Sequence, residues 1–205
     1  MLRILKHLLP LFIVQFFTWL ALFALWIYAT PFITRYVFKS ADADSAVFEN
    51  GVTWVGICFA FYATLAALLA FSIPRLTQYI AKERLHAIAL LLGGAGLVLM
   101  GFVQNKYLLL FSFTFIGIAW SSISNIPYSI VGEMAPSQKV ATYFTVFNFS
   151  VVIPQVTAAF LLGFLNRHYF SGQTIYIILF GGCSMLLAGL LMFFVKIIPA
   201  AKQSN

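Results

Sequence analysis

Charge is scarce in this chain: Asp, Glu, Lys and Arg together make up 8% of its 205 residues, while 62% are hydrophobic. Ordinary soluble domains carry about 25% charged residues, so water is excluded as the solvent for most of this sequence. Only five residues are acidic against twelve basic ones, giving a net charge of +7. The basic residues stand singly between long apolar runs and form no patch that could follow a phosphate backbone, which argues against nucleic acid as a partner. Cysteine is nearly absent. Cys58 and Cys183 lie inside apolar runs with no CxxC spacing and no nearby histidine pair, so no metal site is expected. The sequence has no HExxH, no GxSxG and no paired intramembrane aspartates. An enzyme is therefore not expected, nor any cofactor.

What is present is length without charge. A helix needs about 20 apolar residues to cross a bilayer core of about 30 Å. Six stretches free of Asp, Glu, Lys and Arg meet this, with approximate limits 8–34, 51–74, 87–105, 107–131, 140–165 and 174–195. The expectation is an all-α polytopic membrane protein, a single six-helix bundle over residues 1–205 with the lipid bilayer as its surroundings. Met1 to Lys6 followed by apolar sequence resembles a secretory signal. The run from Leu8 to Thr34 is too long for one, carries Trp19 and Trp26, and has no small-residue cleavage site, so it is expected to be retained.

Six spans put both termini on one side. Arg3, Lys6, Arg75, Lys82, Arg84, Lys139, Lys196 and Lys202 fall on that side, against Arg35, Lys39, Lys106 and Arg167 on the other. By the positive-inside rule both termini are expected in the cytoplasm, with the protein in the cell membrane, the inner one if the cell is bacterial.

With no charge inside a span there is no obvious proton relay. His7, His86 and His168 lie at span ends and receive no role. The neutral polar residues carry the remaining signal. In the fourth span Ser122, Asn125 and Ser129 recur at helical spacing, with Tyr128 on the flank and Pro127 among them. A proline in a spanning helix frees backbone carbonyls, tolerated where protein or a water-filled cavity satisfies them. In the fifth span Thr145, Asn148 and Gln155 share a face beside Pro154. Amides in hydrocarbon need partners on a neighbouring helix or on a polar ligand. In the first span Trp19, Phe23 and Trp26 lie at i, i+4 and i+7, and Trp19 is too deep for an interfacial belt. Aromatic faces with nearby amides suit a sugar, whose C–H surfaces pack on rings while its hydroxyls bond to polar groups. Tyr62 in the second span is a further candidate. The expected solute-binding set is Trp19, Phe23, Tyr62, Ser122, Asn125, Tyr128, Asn148 and Gln155.

Three segments carry a family resemblance: QFFTWLALFALWIYATPFITRYVF, NGVTWVGICFAFYAT and GIAWSSISNIPYSIVGEMAPSQKVATYFTVFNFSVVIPQ. The chain resembles the C-terminal half of sucrose and maltose transporters of the glycoside, pentoside and hexuronide cation symporter group, within the major facilitator superfamily. The resemblance implies a twelve-helix fold of two six-helix halves, of which helices seven to twelve are here, and proton-coupled sugar uptake by alternating access. It supports Trp19, Asn125, Tyr128, Asn148 and Gln155 as positions near the cavity. The second half is expected from a partner chain or a second copy, the alternative being a transport-inactive fragment or a structural or regulatory subunit. Between the second and third spans, Pro74 to Arg84 lacks the glycines and the aspartate of the superfamily's cytoplasmic loop, while Lys82 and Arg84 keep its basic end. Glu133, Pro136 and Lys139 resemble the family's acidic, proline and basic segment in the next loop, and are expected to cap helix ends or to pair.

Overall fold

The computed structural model describes residues 2–200, and helices account for nearly all of them. In hydrocarbon every backbone N–H and C=O must be satisfied within its own segment, which leaves a charge-poor, apolar chain no other regular choice among unclosed structures. The first helix, α1, runs from Leu2 to Phe32 and loosens into a π-helical turn over Ile33–Val37. Pro31 precedes that turn and cannot donate to the carbonyl four residues back, a usual origin of such widening. Helix α2 spans Ala46–Ala70, its start fixed by Ser45, whose hydroxyl accepts from the Phe48 amide at 3.2 Å. A short α3 (Ile73–Tyr79) follows, then α4 (Lys82–Met100) and α5 (Lys106–Ile123). Asn105 caps α5, accepting from the Tyr107 amide at 2.8 Å. Helix α6 (Ile126–Met134) and a 3-10 turn at Ser137–Lys139 lead to α7 (Val140–His168) and α8 (Thr174–Met192).

Six segments are long and apolar enough to cross a membrane: Ile4–Val37, Ala46–Ala70, Lys82–Met100, Lys106–Met134, Ser137–His168 and Thr174–Met192. The chain is a six-helix membrane bundle. Several limits differ from those drawn through charge-free runs alone. The third span starts at Lys82 rather than Ala87 and stops at Met100, because Lys82, Glu83 and Arg84 form its first turn. Long charged side chains reach the interface from inside a helix, so a charge does not mark its end. His86 is thereby moved from the edge of a span into its second turn, and it is fully buried.

The bundle is built around α4 and α8, which pack along each other, with α1 against α8 and α5 against α4. Helix α2 lies on α5 and α7 lies on α1, so these two form the flanks. Glycine makes the α4–α8 seam possible. A Cβ at Gly94 would stand 2.7 Å from the Leu186 backbone nitrogen, and one at Gly182 would stand 2.9 Å from that of Val98. No side chain fits in either place, and the backbones approach as small-residue interfaces in membranes allow. The flanks are less enclosed: 22% of the spanning window of α2 and 33% of that of α7 is buried, against half or more for the others.

Candidate functional site

Between the flanking helices, α1 and α5 meet through aromatic rings. Trp19, Phe23 and Trp26 stand on one face of α1, as their spacing requires. Trp120 of α5 completes the group, with ring centroids 6.2 Å from Trp19 and 5.6 Å from Trp26, both edge to face. Within α1, Trp19 lies 6.1 Å from Phe23 and 6.1 Å from Trp26, and Phe23 lies 5.4 Å from Trp26. These are the distances at which aromatic pairs attract one another. All four rings are half-buried, so each keeps part of its surface open. Tyr62 of α2 enters from the side: its hydroxyl accepts from the Trp26 indole N–H at 3.2 Å, and its ring packs on Phe113 at 6.0 Å. Of the candidates, Trp19 and Phe23 are thus in direct contact on α1, and Tyr62 of α2 joins them through Trp26. Trp120, which the residue patterns did not single out, is the ring that joins them to α5. Its depth in the middle of a span was the available signal, the same one that marked Trp19.

The fourth span does not continue as one helix. It breaks between Ile123 and Ile126, and Asn125, with φ −123° and ψ −53°, stands at the joint. Pro127 lies in the first turn of α6, where its missing N–H costs nothing. Side chains supply further donors to the carbonyls at the end of α5. The Ser124 hydroxyl donates to the Trp120 carbonyl at 2.9 Å, and the Asn125 side-chain amide donates to that of Ser121 at 2.8 Å.

The break overturns the expectation that Ser122, Asn125 and Ser129 share one helix face, since it resets the helical phase between them. Ser122 is buried and bonded to His86, 2.8 Å from hydroxyl oxygen to Nδ1. Asn125 and Ser129 instead line a cavity of about 340 Å³ with Ala70, Ile73, Pro74, Thr77, Lys82 and Ile126. Lys82 donates to the Ser129 hydroxyl at 2.5 Å and forms an ion pair with Glu133. Glu133 therefore pairs with a residue of α4, not with Lys139 of its own loop. Tyr128 turns the other way, stacking on Phe144 of α7 at 6.4 Å and meeting Phe147 edge-on at 5.3 Å.

Helix α7 keeps its helical path through Pro154. Thr145, Asn148 and Gln155 are all exposed, and the Thr145 hydroxyl donates to the carbonyl of Ala141, one turn back. Asn148 and Gln155 share an outward stripe with Ala141, Val152 and Ala159. Among the described residues no three His, Cys, Asp or Glu side chains gather in a way that would hold a metal ion. The arrangement gathers rings with partly open faces, and places hydroxyls and amides near a helix break.

No family model matches the chain. It is similar to proton-associated sugar transporter A of Rattus norvegicus, 31% identical over 136 residues that make up 62% of this chain. The same protein of Homo sapiens is 29% identical over 145 residues, 66% of this chain, and that of Mus musculus is 30% identical over 136 residues. The matched stretch spans 18% of the length of the rat and mouse proteins and 19% of the human one. These distant relatives are transporters by name, not enzymes.

Proposed function

We propose that the bundle works as one half of a secondary transporter of the major facilitator kind, carrying a sugar of the sucrose or maltose class together with protons by alternating access. The observation that carries this reading is the aromatic group of Trp19, Phe23, Trp26 and Trp120, set beside the broken fourth span. Rings with exposed faces offer C–H stacking to a pyranose, while irregular backbone at membrane depth occurs where a segment is enclosed by protein or lines a water-filled path. The likeness to a proton-associated sugar transporter supports the solute class and the coupling. In this reading the second six-helix bundle faces the side bounded by α2 and α7, the two least enclosed helices. It is supplied by a longer chain, a separate chain or a second copy. Both termini lie in the cytoplasm, on the side richer in Lys and Arg, and the protein resides in the cell membrane.

The test is uptake of radiolabelled sucrose and maltose by proteoliposomes, with and without an inward proton gradient, for the wild type and for Trp19→Ala. Gradient-driven accumulation that the substitution abolishes is the expected result. Uptake indifferent to the gradient would remove proton coupling. Saturable sugar binding without uptake would make the chain a half awaiting its complement, and well-folded protein that does neither would sink the reading.

A further inference from the structure

Among the described residues three histidines occur, and one of them is inside the bundle. His86 is fully buried on α4, with its Nδ1 held by the Ser122 hydroxyl and its Nε2 without a partner. Buried polar groups are nearly always bonded, so a lone bond at such a place calls for a physical reason. The location supplies it. Ser122 is in the last turn of α5, directly before the joint at Ser124 and Asn125, and its carbonyl accepts the Asn125 amide at 3.1 Å. The neighbouring Ser121 hydroxyl is also buried and unpartnered, although its carbonyl receives the Asn125 side chain. On the same face of α4, four residues before His86, Lys82 reaches past the joint to Ser129 and Glu133 of α6. One face of α4 therefore holds both arms of the broken span, α5 through His86 and α6 through Lys82.

We infer that His86 is a positioning residue for the helix break: its bond to Ser122 fixes where α5 ends, and so fixes the directions in which Trp120, Asn125 and Tyr128 project. This assignment rests on the proposed transport reading for its functional meaning, since those three residues flank the solute path only in that reading. The bond itself is independent of it.

The experiment is hydrogen–deuterium exchange of the full chain in lipid nanodiscs, read at the amides of Ser124 and Asn125, for His86→Phe, His86→Asn and Ser122→Ala. Phenylalanine keeps the ring and loses the bond. Asparagine keeps an amide where Nδ1 stands. The expected result is exchange about tenfold faster in His86→Phe and Ser122→Ala, as loss of one buried hydrogen bond implies, with His86→Asn within about twofold of wild type. Should His86→Phe destabilise the whole fold, Ser122→Ala, which empties far less volume, carries the test. Wild-type exchange rates in Ser122→Ala would overturn the assignment, as would rates in His86→Asn equal to those in a folded His86→Phe. Sugar binding and uptake by the same variants in proteoliposomes separate the two levels. If well-folded wild-type protein neither binds nor carries sugar, the transport reading fails while the exchange data still decide the role of His86.

Discussion

The fourth and fifth spans each contain an internal proline and a set of polar residues, and they respond in opposite ways. Pro127 accompanies a break, while Pro154 sits inside the continuous α7. The difference lies in what precedes each ring. Before Pro127 stand Ser124 and Asn125: the Asn125 side chain takes up the Ser121 carbonyl, which the Asn125 backbone N–H leaves for that of Ser122, and the Ser124 hydroxyl adds a second donor to the Trp120 carbonyl. Before Pro154 stand Val151, Val152 and Ile153, which have nothing to donate. Departing from the helix there would strand carbonyls in hydrocarbon, at a cost of several kcal/mol for each. A proline therefore bends a membrane helix to the extent that its polar neighbours complete the freed backbone.

Three tests sharpen this contrast, in order of expected effect. Trp120→Ala in the fourth span removes the ring that joins α1 to α5, and truncating a central aromatic anchor costs about 2 kcal/mol or more, about 30-fold in sugar affinity. Phe149→Ala, an exposed ring of the fifth span, is expected to leave affinity within about twofold. Tryptophan-emission titration with sucrose or maltose compares the two, and equal losses would erase the distinction between the spans. Next, Ser124→Val combined with Asn125→Leu gives the fourth span the apolar approach to proline that the fifth already has. Exchange at residues 124–126 is expected to slow about tenfold as α5 and α6 merge, a gain of about one backbone hydrogen bond. Unchanged exchange would show that Pro127 alone makes the break. The smallest effect concerns α7 itself. Thr145→Val is expected to shift thermal stability by less than about 0.5 kcal/mol, because its hydroxyl serves only its own helix. Asn148→Leu is expected to lower uptake about fivefold by removing an outward-facing amide, at the modest size of a single polar contact. A larger loss of uptake from Thr145→Val than from Asn148→Leu would reverse the reading of that helix face.

The six spans were legible in the sequence because length without charge has one interpretation in a bilayer. Their limits were less so, since Lys82, Glu83 and Arg84 belong to a helix although they are charged. The grouping of Trp19, Phe23 and Trp26 followed from spacing on one helix. Their meeting with Trp120 and Tyr62 did not, because contacts between α1, α5 and α2 join residues 36 or more positions apart and leave no local pattern. The fourth span shows the opposite limit. A helix break near Pro127 could be expected, but the phase on its far side could not, so Ser122 was grouped with Asn125 and Ser129 although it faces His86. Position along a span was likewise a poor guide to His86, which the charged first turn of α4 carries into the interior.

The glycine seam between α4 and α8 has a practical consequence for anyone comparing two conformers of this molecule. At Gly94 and Gly182 each helix comes against the backbone of the other, with Leu186 and Val98 packed over the glycines, so a shift along this seam meets both backbone and side chain. These two helices are the natural reference frame for superposition. For a test of the proposed alternating access, reporter labels belong on α2 and α7, the least enclosed spans, and antibody epitopes or rigid fusions belong at the ends of α4 and α8, beside the tightest seam.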